Sequence, residues 1–439
     1  MPNLLRNFIF KVNNIFLVQV FCFILPYIYI YSVYPMYEYM GFTYTRDLNI
    51  YSGITISFFA FIGSMLLPKH IDKPTSLLFT VTFFLIYCPS VSMMYIVTNL
   101  EYEVILSNCL VLWACLLIIF TFSNINIPNI SYKRLGITAF KTIFFSTLFI
   151  SLLSIFIFYN FSFSNLMMVF DFSQTYDIRE GFRDISVPQI VKYMFFAASK
   201  ALVPLLFLYA LKEKNKTLAL LAFLIQVCIF AVSGHKSVFL GVILVYLSWQ
   251  YLSRNGCIRV YSISLGLVVF CSISSILDWM FGYNFLVNIF TRRMILVPGM
   301  LSGMYYEFYF NNEYARLAYS LLSSVFPYNY SSTPPFVIGN YYFDSDFMSA
   351  NVNYVASGFA EFGYLGMIVF VSLASVLYKS LDMAASNNKE SSFVICALLL
   401  PTWVLVDSSL LTAMITHGLL LISIIVLFYP KFRERQSVN

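Results

Sequence analysis

Val104-Ile-Leu-Ser-Asn-Cys-Leu-Val-Leu-Trp-Ala-Cys-Leu-Leu-Ile-Ile-Phe-Thr-Phe122 runs through 104–122 without a single charged side chain. Glu101 and Glu103 precede it, and Lys133 and Arg134 follow it. A helix of about 20 apolar residues spans the hydrocarbon of a bilayer. Lipid offers no partners to a backbone, so such a stretch crosses as a helix and not as an open strand. Working outward, eleven further stretches read the same way: 13–34, 50–67, 76–98, 138–160, 189–210, 218–232, 237–252, 260–278, 359–378, 392–407 and 413–429. None shows the alternation of a barrel strand.

Composition agrees with that pattern. Of 439 residues, 60% are hydrophobic and 19% aromatic, but only 10% are charged. Soluble proteins carry roughly 25% charged residues, which excludes a water-soluble globular fold. Disordered chains are poor in apolar and aromatic side chains, which excludes disorder. The expected fold is all-α: one polytopic membrane domain over 1–439 with about 12 transmembrane helices. The eight cysteines fall outside the long polar connections and form no CxxC, which speaks against a disulfide framework or a zinc site. Arg6 and Lys11 precede an apolar run too long for a signal-peptide core, so that run reads as an uncleaved first span.

Short cytoplasmic loops collect Lys and Arg. The basic connections are 68–75 (Lys69, Lys73), 123–137 (Lys133, Arg134), 211–217 (Lys212, Lys214, Lys216), 253–259 (Arg254, Arg259), 379–391 (Lys379, Lys389) and the tail with Lys431, Arg433 and Arg435. Every second connection is basic, which places both termini inside. Two outside connections are long, 161–188 and 279–358. The second is too large for a linker, and loops of that size tend to be functional. Within it, Tyr314-Ala-Arg-Leu-Ala-Tyr-Ser-Leu-Leu-Ser-Ser-Val-Phe326 has the periodicity of a helix lying in the outer interface.

Arg46, Arg179, Arg183, Lys192, Lys236, Arg292, Arg293 and Arg316 fall outside, against the charge bias. Any one of them could snorkel to headgroups. Together they suggest an anionic ligand, because a guanidinium forks onto phosphate with paired hydrogen bonds. Arg179-Glu-Gly-Phe-Arg183 puts two Arg on one face if the stretch is helical. Arg292 and Arg293 stand side by side early in the large connection. Ser233-Gly-His-Lys-Ser237 opens a helix, where a positive helix end and hydroxyls suit a phosphate oxygen. Lys200 lies deep in a span, a costly position that calls for a cavity or a partner. Asp407 and His417 flank the last outer turn and are read as standing outside the site. Asp344-Ser-Asp346 looks like a divalent-metal motif, but Asp suits turns for its own reasons, and no metal is expected. The tyrosines crowding the large connection read as an interfacial belt.

Several of these segments resemble the O-antigen (oligosaccharide repeat-unit) polymerases of the Wzy type. Ser233–Ser237 is similar to that family's small-residue-plus-basic turn. Arg292-Arg-Met-Ile-Leu-Val-Pro-Gly299, followed by Tyr305-Tyr-Glu-Phe308, resembles its Arg-rich start to the last large outer loop. Ten residues separate Arg292 from Gly303, similar to an RX10G pattern. Ser349-Ala-Asn-Val-Asn353 and Glu361-Phe-Gly-Tyr-Leu-Gly366 resemble the end of that loop running into a glycine-bearing helix. The first long connection departs from the pattern, since Ile190 and Met194 stand where a glycine would follow Arg179 and Arg183.

The resemblance implies a membrane glycosyltransferase similar to the GT-C type, acting on the periplasmic side of the bacterial inner membrane. It implies that undecaprenyl-pyrophosphate-linked oligosaccharide is both donor and acceptor, with membrane lipids and a chain-length regulator protein as further partners. No cofactor, metal or nucleic acid is expected. On that reading Arg179, Arg183, Lys236, Arg292 and Arg293 hold the pyrophosphate, and His235, Arg292 and Glu361 serve catalysis. Cations stabilise charge on the departing pyrophosphate, and His235 takes the acceptor proton. Glu180 and Glu307 are further bases. An O-antigen ligase uses the same donor and stays open as an alternative. So does a lipid-linked oligosaccharide flippase, although only Lys200 is a deep charge and no half-repeat is visible.

Overall fold

The computed structural model describes residues 2–126, 135–159, 175–282, 285–388 and 390–429. Lys133, Arg134, Lys389, residues 161–174 of the first long connection, and the tail residues Lys431, Arg433 and Arg435 lie outside them. The described residues are helical apart from turns and one two-residue strand pair. In chain order the helices are α1 (Pro2–Ile28), α2 (Ile50–Ser64), α3 (Pro74–Val97), α4 (Tyr102–Asn124) and α5 (Ile137–Phe158). There follow α6 (Thr175–Asp184), α7 (Gln189–Lys212), α8 (Lys216–Ser233), α9 (Lys236–Asn255) and α10 (Val260–Phe281). The last six are α11 (Val297–Asn311), α12 (Pro334–Phe343), α13 (Tyr354–Asn388), α14 (Ser391–Val404), α15 (Leu410–Ile415) and α16 (Leu419–Phe428).

Every one of the twelve apolar stretches carries helix. Among the described residues eight helices are long and apolar enough to cross a membrane, and α2, α14 and α16 are shorter apolar helices. The chain is an all-α polytopic membrane protein. Its outward faces agree: Phe149 and Phe156 on α5, Leu220 and Leu224 on α8, and Leu247 on α9 are exposed. A continuous apolar surface of that kind suits lipid and not water.

The centre of the bundle is α3, almost wholly covered by α1, α4, α11, α13 and α14. Its closest neighbour is α11. The spacing Gly299-x-x-x-Gly303 explains why. A Cβ on Gly299 would stand 2.7 Å from the carbonyl of Pro89, and one on Gly303 would stand 2.9 Å from Val97. Small residues four apart let two helices meet backbone to backbone where no hydrophobic drive separates lipid from protein. The glycine of the RX10G-like pattern thus has a packing role.

Among the described residues four π-helical stretches widen the bundle: Tyr29–Val33, Phe83–Tyr87, Ala198–Leu202 and Val287–Leu296. Pro35, Pro89, Pro204 and Pro298 each stand two residues past the end of one. A proline inside a helix lacks an N–H and crowds the carbonyl four residues back, and a widened turn relieves both.

The basic connections meet one another. His70–Ile71 pairs antiparallel with Ile258–Arg259. Lys73 Nζ donates to the Ser123 carbonyl (2.6 Å), and Thr75 donates through N and Oγ1 to the Asp382 carboxylate (2.9 and 2.6 Å). Lys212 pairs with Glu390 (2.5 Å), and Ser392 donates to the Leu252 carbonyl. Five connections read from charge as sharing a side therefore form one face. The opposite ends of the same helices carry the His235 turn, the end of α10, and the segments 41–47, 97–101 and 307–361. The last three are tied together by Thr43 to Val97, Arg46 to Leu100, and both Asn99 and Tyr342 to Glu307.

Two expectations about the large connection need correction. Residues 287–311 are not surface loop: they are helical, and α11 is buried against α3 and α13. No charge intervenes between Arg293 and Glu307, so nothing keeps that helix out of the bundle. Tyr314–Phe326, expected as an interfacial helix, is a run of turns. Arg316 and Leu317 adopt left-handed backbone (φ 53° and 54°), and their N–H groups donate to the Glu361 carbonyl and carboxylate instead of continuing a helix.

Candidate functional site

The His235 turn is built by its own sequence. Gly234 ends α8 in left-handed conformation (φ 62°), with its N–H on the Phe230 carbonyl (2.8 Å). His235 then caps α9, with its N–H on Ser233 Oγ (3.3 Å) and its carbonyl accepting from Val238. Lys236 is the first residue of α9. Buried Gln226 fastens the turn to α7: its Nε2 donates to the Ser199 carbonyl (2.8 Å) and the Val238 carbonyl (3.0 Å). Ser199 and Lys200 belong to the π-helical stretch before Pro204. The widened turn thus carries Lys200 toward His235.

Residues Thr175–Asp184 of the first long connection form helix α6, the condition under which Arg179 and Arg183 share a face. Phe182 seats that helix. Its ring stacks on Tyr159 (4.8 Å), packs on Phe195 (4.8 Å), and meets the His235 ring edge-on (5.7 Å). Arg183 is exposed. Burial pushes the His235 imidazole down to about 4, and the positive fields of Arg179 and Lys200 push the same way.

The last turn of the chain closes the group. His417, between α15 and α16, packs edge-on against Phe196 (4.9 Å), the ring that also lies under Lys200 Nζ (5.6 Å). The charges of Lys200 and His235 reach the His417 ring. Its Nδ1 is buried and has no hydrogen-bond partner among the described residues. Asp407 follows α14. Its side chain is exposed, and the charge of Lys200 reaches its carboxylate. Arg179, Lys200, His235, Asp407 and His417 therefore form one electrostatic unit at the end of the bundle opposite the basic connections. Asp407 and His417 were read from sequence as bystanders.

Arg292 and Arg293 sit elsewhere at that end, on the π-helical stretch Val287–Leu296. Buried Asp278 accepts from the N–H groups of Leu286 (3.1 Å) and Val287 (2.8 Å) and so caps that stretch. The Arg292 guanidinium lies over the Tyr37 ring at 4.0 Å, and Arg293 is exposed. This stretch packs on α3, α10, α11 and the extension of α1, whereas α6 packs on α8.

Glu361 is buried at the kink of α13, where Phe362 and Gly363 leave helical geometry and split the helix into 354–361 and 364–388. Its carboxylate accepts from Leu317 N (2.6 Å) and Tyr319 Oη (2.8 Å). It lines a cavity of about 250 Å³ bordered by Tyr305, Phe336, Ser357 and the turn residues Ser408 and Ser409. Glu307 is engaged with Asn99 N and Tyr342 Oη. Asp344 takes left-handed backbone at the end of α12, and Asp346 accepts from Asn340 (2.6 Å), both turn roles. Among the described residues no three His, Cys, Asp or Glu side chains gather as a metal site would require.

Compared with protein-family models, with curated proteins and with solved structures, the chain matches none.

Proposed function

We propose that this chain is an oligosaccharide repeat-unit polymerase, resembling the Wzy type, that moves a growing glycan from undecaprenyl pyrophosphate onto the next lipid-linked unit. The observation that carries the reading is the grouping of Arg179 and Lys200 around the His235 imidazole, with Asp407 and His417 closing it. The reading includes twelve spans in a GT-C-like arrangement, both termini in the cytoplasm, and the site at the periplasmic face of the bacterial inner membrane.

The chemistry follows from the charges. The acceptor hydroxyl attacks the anomeric carbon of the donor glycan, and the bond from that carbon to the phosphate oxygen breaks. Negative charge grows on the departing pyrophosphate. Arg179 and Lys200 meet it in a setting of low dielectric, where preplaced cations act most strongly. Lys236 and Arg183 are placed to add to them. The hydroxyl proton goes to His235. That imidazole is neutral at pH 7, because burial and the two cations hold its pKa near 4. A bound pyrophosphate offsets those cations, which raises the basicity of His235 when the donor is in place. His417 is the second imidazole within reach. Arg292 and Arg293, on the π-helical stretch before α11, would hold the other lipid-linked substrate.

One observation favours a second reading, a lipid-linked oligosaccharide flippase. The helix α13 breaks at Gly363, and α15 and α16 are separated at Gly418, which packs against Ala197 and Ala201 on either side of half-buried Lys200. Broken helices around a buried charge are a transporter trait. Deletion of the gene separates the readings. A lost polymerase leaves lipid A core bearing a single repeat unit. A lost ligase leaves bare core while polymer accumulates on its lipid carrier. A lost flippase leaves bare core with repeat units held on the inner leaflet. Bare core after deletion, by glycan electrophoresis, would reject the polymerase.

A further inference from the structure

The turn that carries Asp407 toward Lys200 also carries Ser408 and Ser409 into the cavity beside Glu361. We infer that this cavity is a subsite for one neutral sugar ring, bordering the cation group across the 405–412 turn. Its place in glycan transfer rests on the polymerase reading, but the binding itself does not.

Four features of the lining select that ligand. First, among the described residues the lining holds one carboxylate and no cation, which disfavours a phosphate. The Glu361 carboxylate has one donor on each oxygen, from Leu317 N and Tyr319 Oη, so each oxygen can still accept a ligand hydroxyl. Second, Ser357 Oγ is buried, at 6% exposure, and has no hydrogen-bond partner among the described residues. Buried hydroxyls are almost always satisfied, so an unpaired one lining a cavity marks where a polar ligand atom belongs. Third, the remaining polar lining is made of hydroxyls and an amide: Thr333, Ser349, Asn351, Ser408, Ser409 and Thr412. These groups both donate and accept, as a ligand rich in hydroxyls requires. Fourth, Tyr305, Tyr319 and Phe336 add apolar ring surface against which the C–H face of a pyranose packs. The volume of about 250 Å³ far exceeds the ~15 Å³ that admits a single water.

The walls are fixed independently of any ligand. Tyr305 Oη donates to the Ala350 carbonyl (2.9 Å), and Ala350 N donates to the Pro335 carbonyl (3.0 Å). Tyr354 N donates to the Leu405 carbonyl (3.0 Å), which ties the start of α13 to the turn.

Saturation-transfer difference NMR on the full chain in detergent micelles tests the inference. The probes are methyl glycosides of glucose, galactose, mannose and N-acetylglucosamine. We expect transfer to the ring protons of at least one, reduced fivefold or more by Ser357→Leu, which fills the cavity, and by Glu361→Gln. Lys216→Ala, exposed at the opposite end of the bundle, should leave it unchanged. Asn351→Trp, at the exposed rim, serves in place of Ser357→Leu if that variant loses the wild-type elution profile. No transfer from any of the four probes overturns the inference, and so does transfer that survives the cavity variants. Glycoside binding together with bare core on gene deletion would reject the polymerase and leave the sugar subsite standing.

Discussion

His235 carries a consequence that can be measured without substrate. Burial and the nearby cations push its imidazole down to about 4 in the folded chain, below the ordinary 6.5 of histidine. Above pH 6.5 the ring is neutral whether the chain is folded or not, and the full stability is present. As pH falls below 6.5 the unfolded chain takes up a proton that the folded chain refuses, so stability is lost as pH drops toward 4. The thermal midpoint in detergent should therefore fall between pH 6.5 and 4, and His235→Asn should flatten that fall. An equally steep fall in the variant would remove His235 as its cause. The sequence made His235, Lys200, Arg179 and Arg183 visible, because a basic residue on the outer side or inside a span stands out against an apolar background. It hid Asp407 and His417, because their role depends on a turn folding back beside α7, and no periodicity encodes that.

At the scale of elements, each of the twelve apolar stretches falls on helix, though 413–429 is broken between Ile415 and Leu419. Helix 287–311 was not legible in the sequence, because Arg292 and Arg293 made its beginning look like an outer loop. The signal was present in Gly299-x-x-x-Gly303 and in Pro298, which stands two residues past a π-helical stretch as three other prolines do. The interfacial helix expected at Tyr314–Phe326 failed for a different reason: buried Glu361 draws the Arg316 and Leu317 N–H groups away from helical partners. The glycine packing gives a stability test. Gly299→Ala puts a Cβ 2.7 Å from the Pro89 carbonyl, whereas Gly266 of α10 has nothing within 4 Å. Forcing an extra carbon into a packed contact costs about 1–3 kcal/mol, while Gly→Ala in an open helix position gains roughly 0.5–1 kcal/mol. Thermal unfolding should rank Gly266→Ala at or above wild type and Gly299→Ala below it. Equal midpoints for the two variants would contradict the close contact of α11 with α3.

For the whole molecule, charge bias and contact geometry agree. The connections holding Lys73, Lys212, Arg259 and Lys379 form one face, and the His235 turn lies at the other ends of the same helices. Cysteines introduced at Lys69 and Lys216 should resist a membrane-impermeant thiol reagent in intact spheroplasts, whereas cysteines at Ser237 and Ser345 should react. Labelling in the reverse pattern would turn the site toward the cytoplasm and end the polymerase reading. The most direct measurement is a glycan ladder. A deletion strain is complemented with Arg179→Ala, Lys200→Met or their combination, each present in the membrane at wild-type level. Removing one preplaced cation from a developing charge typically costs about 10²–10³ in rate. The account predicts that each single variant shortens the ladder severely and that the pair leaves core with one repeat unit. Ladders of wild-type length from the double variant would contradict it.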